Sequence, residues 1–326
     1  MSTLPQAVAA LAGGDLDWFA ARFAAQGLSS NQAGPGMLQI NCGKDGAPAV
    51  LLSVGVHGDE TGPLELLALL LEELSSGAPQ LAADVLLVVG NVAAIAAGKR
   101  FIDADLNRMF KSARGDLEGS SEAARADQMM AATRAFFEGR SGARWHLDLH
   151  TAIRPSLYPA FAIVPELIQE QARSALWRFL SLGGIGAIIR NPQPSGTYSY
   201  FSSEHCGAAG STLELGRVGV LGQNDLQQFD AMRAALADLL RGTLQLPAEC
   251  SAHLYRLAQE IIKRSADFKM SFDKQTQNFS ALPQGALIAE DGAHRYTVQH
   301  AEERVVFPNP DVRIGLRAGL MVVREV

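Results

Sequence analysis

The sequence predicts an α/β protein with a mixed, largely parallel sheet flanked by helices, followed by a smaller β-rich C-terminal domain. Three observations predict this. Apolar, β-branched runs alternate with helix-period segments over residues 1–245, the pattern of strands joined by crossover helices. Some of those runs, such as Val85-Leu86-Leu87-Val88-Val89, are continuously apolar, as strands buried on both faces should be. After Gln245-Leu246-Pro247 the texture changes to short strand-like runs separated by turns. The expected domains are therefore residues 1–245 and 246–326, both within the usual size range.

The elements follow in order. Residues 16–26 read as a helix, and a Gly-Ser-Asn-rich loop then leads to a strand over residues 37–41. Ala49-Val50-Leu51-Leu52 is a strand, and Pro63-Leu64-Glu65-Leu66-Leu67-Ala68-Leu69-Leu70 opens a helix. The Val85 run closes on Gly90-Asn91. A polar stretch over residues 99–121 precedes a helix over residues 121–138, with Ser120 or Ser121 as its N-cap. Residues 144–150 and 161–164 are strands, and residues 169–182 form a helix closed by Gly183-Gly184. Residues 187–190 and 210–215 are further strands, and residues 224–241 a long amphipathic helix. In the C-terminal part, strand-like runs cover residues 254–262, 286–289, 304–307 and 320–323. Glu290-Asp291-Gly292 and Pro308-Asn309-Pro310 supply turn chemistry there.

Composition excludes several classes. The 326 residues are 48% hydrophobic and 19% charged, ordinary for a globular protein with a large core. A net charge of -6 leaves no basic field to attract nucleic acid or an anionic membrane. An anionic ligand must then be held by locally placed arginines and lysines. Cys42, Cys206 and Cys250 are few and far apart, which fits reduced thiols in a cytosol better than a disulfide framework. The segment Met1-Ser2-Thr3-Leu4-Pro5-Gln6 carries no targeting pattern, and the apolar run from Leu64 is broken by Glu65, Glu72 and Glu73. A soluble, cytoplasmic protein is expected. No feature of the sequence specifies an oligomeric state.

The chemistry begins at Val54-Gly55-Val56-His57-Gly58-Asp59-Glu60, where a strand gives way to a helix. Imidazole and carboxylate are ordinary Zn²⁺ ligands, and a catalytic site takes three protein ligands with a position left open. The flanking glycines let the chain turn tightly. A third ligand is expected at the end of another strand, because ligands of such sheets gather beyond the strands' carboxyl ends. Trp145-His146-Leu147-Asp148-Leu149-His150 places His146, Asp148 and His150 on one strand face. His150 is the choice, because His146 lies about 13 Å back at about 3.3 Å per residue. Asp148 is placed to orient a neighbouring group, since ligating imidazoles commonly donate their second N–H to a carboxylate. Glu214 sits in the apolar strand Ser211-Thr212-Leu213-Glu214-Leu215, where burial should raise its pKa. Asn91 is a further polar residue at a strand end.

Taken together, His57-Gly58-Asp59-Glu60-Thr61, Asp148-Leu149-His150-Thr151 and Thr212-Leu213-Glu214-Leu215-Gly216 resemble the signature of the succinylglutamate desuccinylase/aspartoacylase family, itself related to zinc carboxypeptidases. Gly98-Lys99-Arg100-Phe101, Asp105-Leu106-Asn107-Arg108-Met109-Phe110 and Leu221-Gly222-Gln223-Asn224-Asp225-Leu226 fit the same pattern. The stretch Asp148-Leu149-His150-Thr151-Ala152-Ile153-Arg154 is nearest to the desuccinylase branch. The likeness covers essentially the whole chain and is weakest before residue 35 and after residue 245. It implies a zinc-carboxypeptidase-like fold and one Zn²⁺ per subunit, held by His57, Glu60 and His150. Glu214 is implied as the base that activates water, and Arg100 as the cation that stabilises the oxyanion.

Asn107 and Arg108 resemble the pair that grips a substrate carboxylate, for which a guanidinium fork is well suited. Arg154 is placed to hold a further carboxylate of a dianionic acyl group, and Arg190 and Tyr198 are further candidates, though Arg190 fits a strand cap equally well. The implied substrate is a small N-acyl amino acid, N-succinylglutamate first, with no nucleic-acid or membrane partner. One alternative is an aspartoacylase-like deacylase of another N-acyl amino acid. Another is a non-catalytic zinc- or carboxylate-binding relative, which should have lost Glu214 or Arg100, and both are present. Because a His₂Glu set also accepts other divalent ions, the sequence leaves the metal itself open.

Overall fold

The computed structural model describes residues 4–78, 81–273 and 275–325. Met1-Ser2-Thr3, the start of the segment that carries no targeting pattern, lie outside the described residues. The chain opens with α1 (Gln6–Ala12), α2 (Asp17–Ala25), β1 (Ser29–Gly34), β2 (Met37–Asn41), β3 (Ala49–Val54) and α3 (Gly62–Leu74). Next come β4 (Asp84–Val89), α4 (Val92–Ala97), α5 (Ser121–Phe137), β5 (Arg144–Ala152), β6 (Ala160–Pro165), α6 (Glu170–Leu182) and β7 (Ala187–Asn191). α7 (Tyr198–Cys206), β8 (Ala209–Arg217) and α8 (Asp230–Arg241) complete the helical part. The remainder is β-rich: β9 (His253–Ile262), β10 (Lys269–Met270), β11 (Ser280–Pro283), β12 (Leu287–Asp291), β13 (His294–Thr297), β14 (Glu302–Val306) and β15 (Arg317–Arg324).

Among the described residues, twelve strands form one sheet in the order β1-β2-β4-β3-β5-β8-β6-β7-β9-β15-β14-β11, and β10-β12-β13 form a second. The centre β4-β3-β5-β8 is parallel, whereas β6 runs antiparallel to β8. This is the expected mixed α/β architecture. β7 and β9 pair in parallel, so the C-terminal strands continue the main sheet.

The period of two sorts β3 between two cores. Val50, Leu52 and Val54 join α3 and its neighbours on one face, and Ala49 and Leu51 join α5 and α7 on the other. Every residue of β3 is buried, which is why its sequence is almost wholly apolar. Pro63 stands in the first turn of α3, where its missing N–H costs nothing. Ser120 caps α5, its hydroxyl accepting from the Ala123 amide at 3.1 Å.

Three local expectations are corrected. The expected loop before Met37 contains β1, a hairpin partner of β2. Its sequence, Ser29-Ser30-Asn31-Gln32-Ala33-Gly34, shows no apolar alternation because it is an edge strand with little of it buried. Residues 6–12 form a helix ahead of the one foreseen. The long amphipathic helix begins only at Asp230, after a separate 3₁₀ turn over Leu226–Phe229.

Candidate active site

The carboxyl ends of β3, β5 and β8 converge on a cleft of about 440 Å³. Gly55, at φ +63°, turns the chain out of β3. The next turn then passes so close to α4 that a Cβ on Gly58 would meet the Ala94 carbonyl carbon at 2.2 Å. Glycine is required at both positions, and together they present His57 and Glu60 inward.

Glu60 is the hub. One carboxylate oxygen meets His57 Nδ1 at 2.9 Å and accepts from Arg100 Nη1 at 2.7 Å. The other meets His150 Nδ1 at 2.8 Å and accepts from the Thr151 amide at 3.1 Å. The second nitrogen of each imidazole faces a carboxylate: His57 Nε2 lies 2.8 Å from Asp105, and His150 Nε2 lies 3.0 Å from Asp148. Ser53 donates to Asp148, and His146 bridges Ser53 and Ser202 behind it. His146 therefore belongs to the supporting network, and complete burial lowers its pKa to about 4, so it is neutral.

These partners set the electrostatics. Burial pushes the Glu60 carboxyl up, but His57 and His150 outweigh it and hold the group well below the usual carboxylate range. Burial pulls both histidines down. Glu60 and Asp105 outweigh it at His57, and Asp148 and Glu60 at His150, so both end above the ordinary imidazole value. Glu214 goes the other way: burial, and then the charge of Glu60, raise its pKa to about 7.

A divalent metal suits this arrangement. Candidate ligand atoms of His57, Glu60 and His150 all lie within 4.8 Å of one another, and all three residues are buried. Two imidazoles and a carboxylate are a familiar zinc donor set, with each second nitrogen held by a carboxylate as such ligands require. Beside them, one buried carboxylate oxygen of Glu214 has no hydrogen-bond partner among the described residues. A buried acceptor left unmatched is costly unless something else uses it.

Arg100, Asn107, Arg108 and Arg154 line the same cleft. Asn107 accepts from the Tyr198 amide at 3.0 Å, and Arg108 donates to the Asn107 carbonyl at 2.7 Å. Two weaker candidates fall elsewhere. Arg190 pairs with Glu325 at 2.8 Å, and Tyr198 is buried in the core with its hydroxyl 2.6 Å from that of Thr133. Asn91 also lies outside the cleft, capping α4 and donating to Glu122. Asp105 carried no role in the sequence, although it stands two residues before Asn107 in a motif already singled out. Glu260 and Arg317, which bring the C-terminal part into the cleft wall, had no sequence signal.

A buried His–Glu–His cluster that could hold a metal, at the carboxyl ends of parallel strands and beside a buried glutamate and several arginines, is the arrangement of a metal-dependent hydrolase. The chain belongs to the succinylglutamate desuccinylase/aspartoacylase family: the model of the family's catalytic domain matches residues 46–240, and that of the AstE/AspA barrel-sandwich hybrid domain matches residues 250–325. It is accordingly an enzyme that hydrolyses an amide C–N bond. It is 43% identical to the succinylglutamate desuccinylase of Burkholderia lata over 277 residues, 84% of this chain and 79% of that protein. It is 41% identical to that of Burkholderia thailandensis over 318 residues, 96% and 91% of the two chains. The crystal structure of the succinylglutamate desuccinylase from Chromobacterium violaceum superposes with a TM-score of 0.81 at 36% identity, covering 92% of each chain.

Proposed function

We propose that this chain is a zinc-dependent amidohydrolase that converts N-succinyl-L-glutamate and water to L-glutamate and succinate. The observation that carries it is the buried His57–Glu60–His150 cluster sharing an arginine-lined cleft with Glu214, one of whose carboxylate oxygens has no hydrogen-bond partner among the described residues. The names of the relatives, 41–44% identical over most of the chain, support the choice of acyl group.

His57, Glu60 and His150 would hold the ion, with Asp105 and Asp148 fixing the two imidazoles. Zinc there supplies a Lewis acid that lowers the pKa of water and polarises the scissile carbonyl. Glu214, whose pKa is raised to about 7 by burial and the charge of Glu60, takes the proton from the attacking water and delivers it to the departing amine nitrogen. The water oxygen bonds to the carbonyl carbon, the C–N bond breaks, and succinate and glutamate leave. Arg100 stands ready for the negative charge that develops on the carbonyl oxygen, a role worth about 3–4 kcal/mol for a well-placed donor. Asn107 and Arg108 grip a glutamate carboxylate, and Arg154 the carboxylate of the acyl tail.

In this account residues 1–245 form the catalytic domain and 246–326 the β-rich domain, and the reaction is the last step of succinyl-dependent arginine breakdown. The three free thiols fit a cytoplasmic setting. No helix among the described residues is long and apolar enough to cross a membrane. The test is direct: the zinc-loaded protein should release succinate and glutamate in equal amounts, lose activity to a chelator and regain it with zinc. No release from N-succinylglutamate would overturn the proposal.

A further inference from the structure

Four arginines line the cleft, and one of them, Arg317, comes from the C-terminal part of the chain. It opens β15 with its side chain about one-fifth exposed. Among the described residues its one hydrogen-bond partner is Glu260 of the neighbouring β9, which accepts from Nη1 at 3.1 Å. The rest of the guanidinium fork is left for a ligand, and such a fork matches a carboxylate. Burial, and then the positive charge of Arg108, lower the Arg317 pKa. Two guanidiniums thus share one neighbourhood although they reach it from a 3₁₀ turn and from a C-terminal strand. Their repulsion is relieved by a ligand with two carboxylates a few bonds apart, which is what the glutamate half of the proposed substrate presents. The acyl tail presents a single carboxylate, for which Arg154, lining the cleft from the loop after β5, is the proposed partner. That loop is tied to the C-terminal part through Asn278, which donates to the Pro155 carbonyl at 2.8 Å and accepts from the Leu157 amide at 3.1 Å.

We propose that Arg317 is a specificity-determining residue that, with Arg108, binds the amino-acid half of the substrate and reads its side-chain carboxylate. The β-rich C-terminal part is then a wall of the substrate site. The inference rests on the desuccinylase activity proposed above. Its test compares wild type and Arg317→Met on N-succinylglutamate, N-succinylglutamine and N-butyrylglutamate.

Removing a hydrogen-bonded cation from its carboxylate should lower kcat/KM by roughly 10- to 100-fold. That loss should fall on the two glutamate substrates and spare N-succinylglutamine, whose side chain carries no charge for Arg317 to read. Equal losses on all three substrates, or none, would overturn the inference. So would a loss on both succinyl substrates that spares N-butyrylglutamate, since Arg317 would then read the acyl tail. If wild type hydrolyses none of the three, the activity itself fails and the inference falls with it. Should the Met variant not fold, Arg317→Lys gives the same readout with a smaller loss, because it keeps the charge and loses only the fork.

Discussion

His150 on β5 and Glu214 on β8 are backbone register partners on adjacent parallel strands. Neighbouring strands run about 4.8 Å apart, so the sheet itself sets the spacing between a proposed ligand and the proposed base. A rigid sheet holds catalytic geometry better than a loop does.

Glu214→Gln keeps the shape and removes the proton acceptor. It should retain zinc and thermal stability while kcat falls on the order of 10²–10⁴-fold. Steady-state kinetics beside metal analysis checks this. Near-wild-type turnover would mean another group activates the water.

Asp105→Asn and Asp148→Asn should each weaken zinc binding roughly 10- to 100-fold, because each leaves an imidazole with a poorer acceptor for its second N–H. Competition with a chromophoric chelator measures it. Unchanged affinity would show that neither carboxylate orients its histidine.

Zinc affinity should fall as the pH drops. Protonated imidazole cannot ligate, and both His57 and His150 have pKa values raised above the ordinary one by their carboxylate partners, against the pull of burial. Protons therefore compete at a higher pH than they would for free imidazole, about 6.5. The zinc Kd, measured from pH 8 down to pH 6, should rise steadily on acidification; a flat profile contradicts the assignment.

The arginines should separate kinetically. Arg100→Met should lower kcat, because the oxyanion it is proposed to stabilise exists only in the transition state, whereas its bond to Glu60 is present throughout. Arg108→Met and Arg154→Met should mainly raise KM, because they grip carboxylates present throughout the reaction. A pure KM effect at Arg100 would remove it from the oxyanion role.

Gly58→Ala should destabilise the fold by about 1–3 kcal/mol or more, as overpacking does, because the new methyl lands on the Ala94 backbone. Denaturant unfolding with zinc stoichiometry tests this, and a stable, fully loaded variant would contradict it.

What the sequence revealed follows from locality. His57, Glu60, His150 and Glu214 were legible because each falls at a strand end or within a short motif. Asp105 was not, because its partner lies 48 residues away and only the folded loop brings them together. Arg317 opens an apolar strand like many a surface arginine, and its place in the cleft depends on the β7–β9 pairing. β1 and α7 escaped notice for a different reason. β1 is polar because it is an edge, and the Ser- and Tyr-rich sequence of α7 shows no amphipathic period, although most of that helix is buried.

The central claim is that the cleft is built for a succinyl group, and the most direct measurement is kcat/KM of the zinc-loaded protein on N-succinylglutamate against N-butyrylglutamate. The two substrates differ only in the carboxylate at the end of the acyl chain. A site with a guanidinium placed for that carboxylate should favour the succinyl substrate by orders of magnitude, because the butyryl chain forfeits a charge-assisted contact. Equal turnover of the two would contradict the desuccinylase assignment while leaving the metal-dependent hydrolase intact.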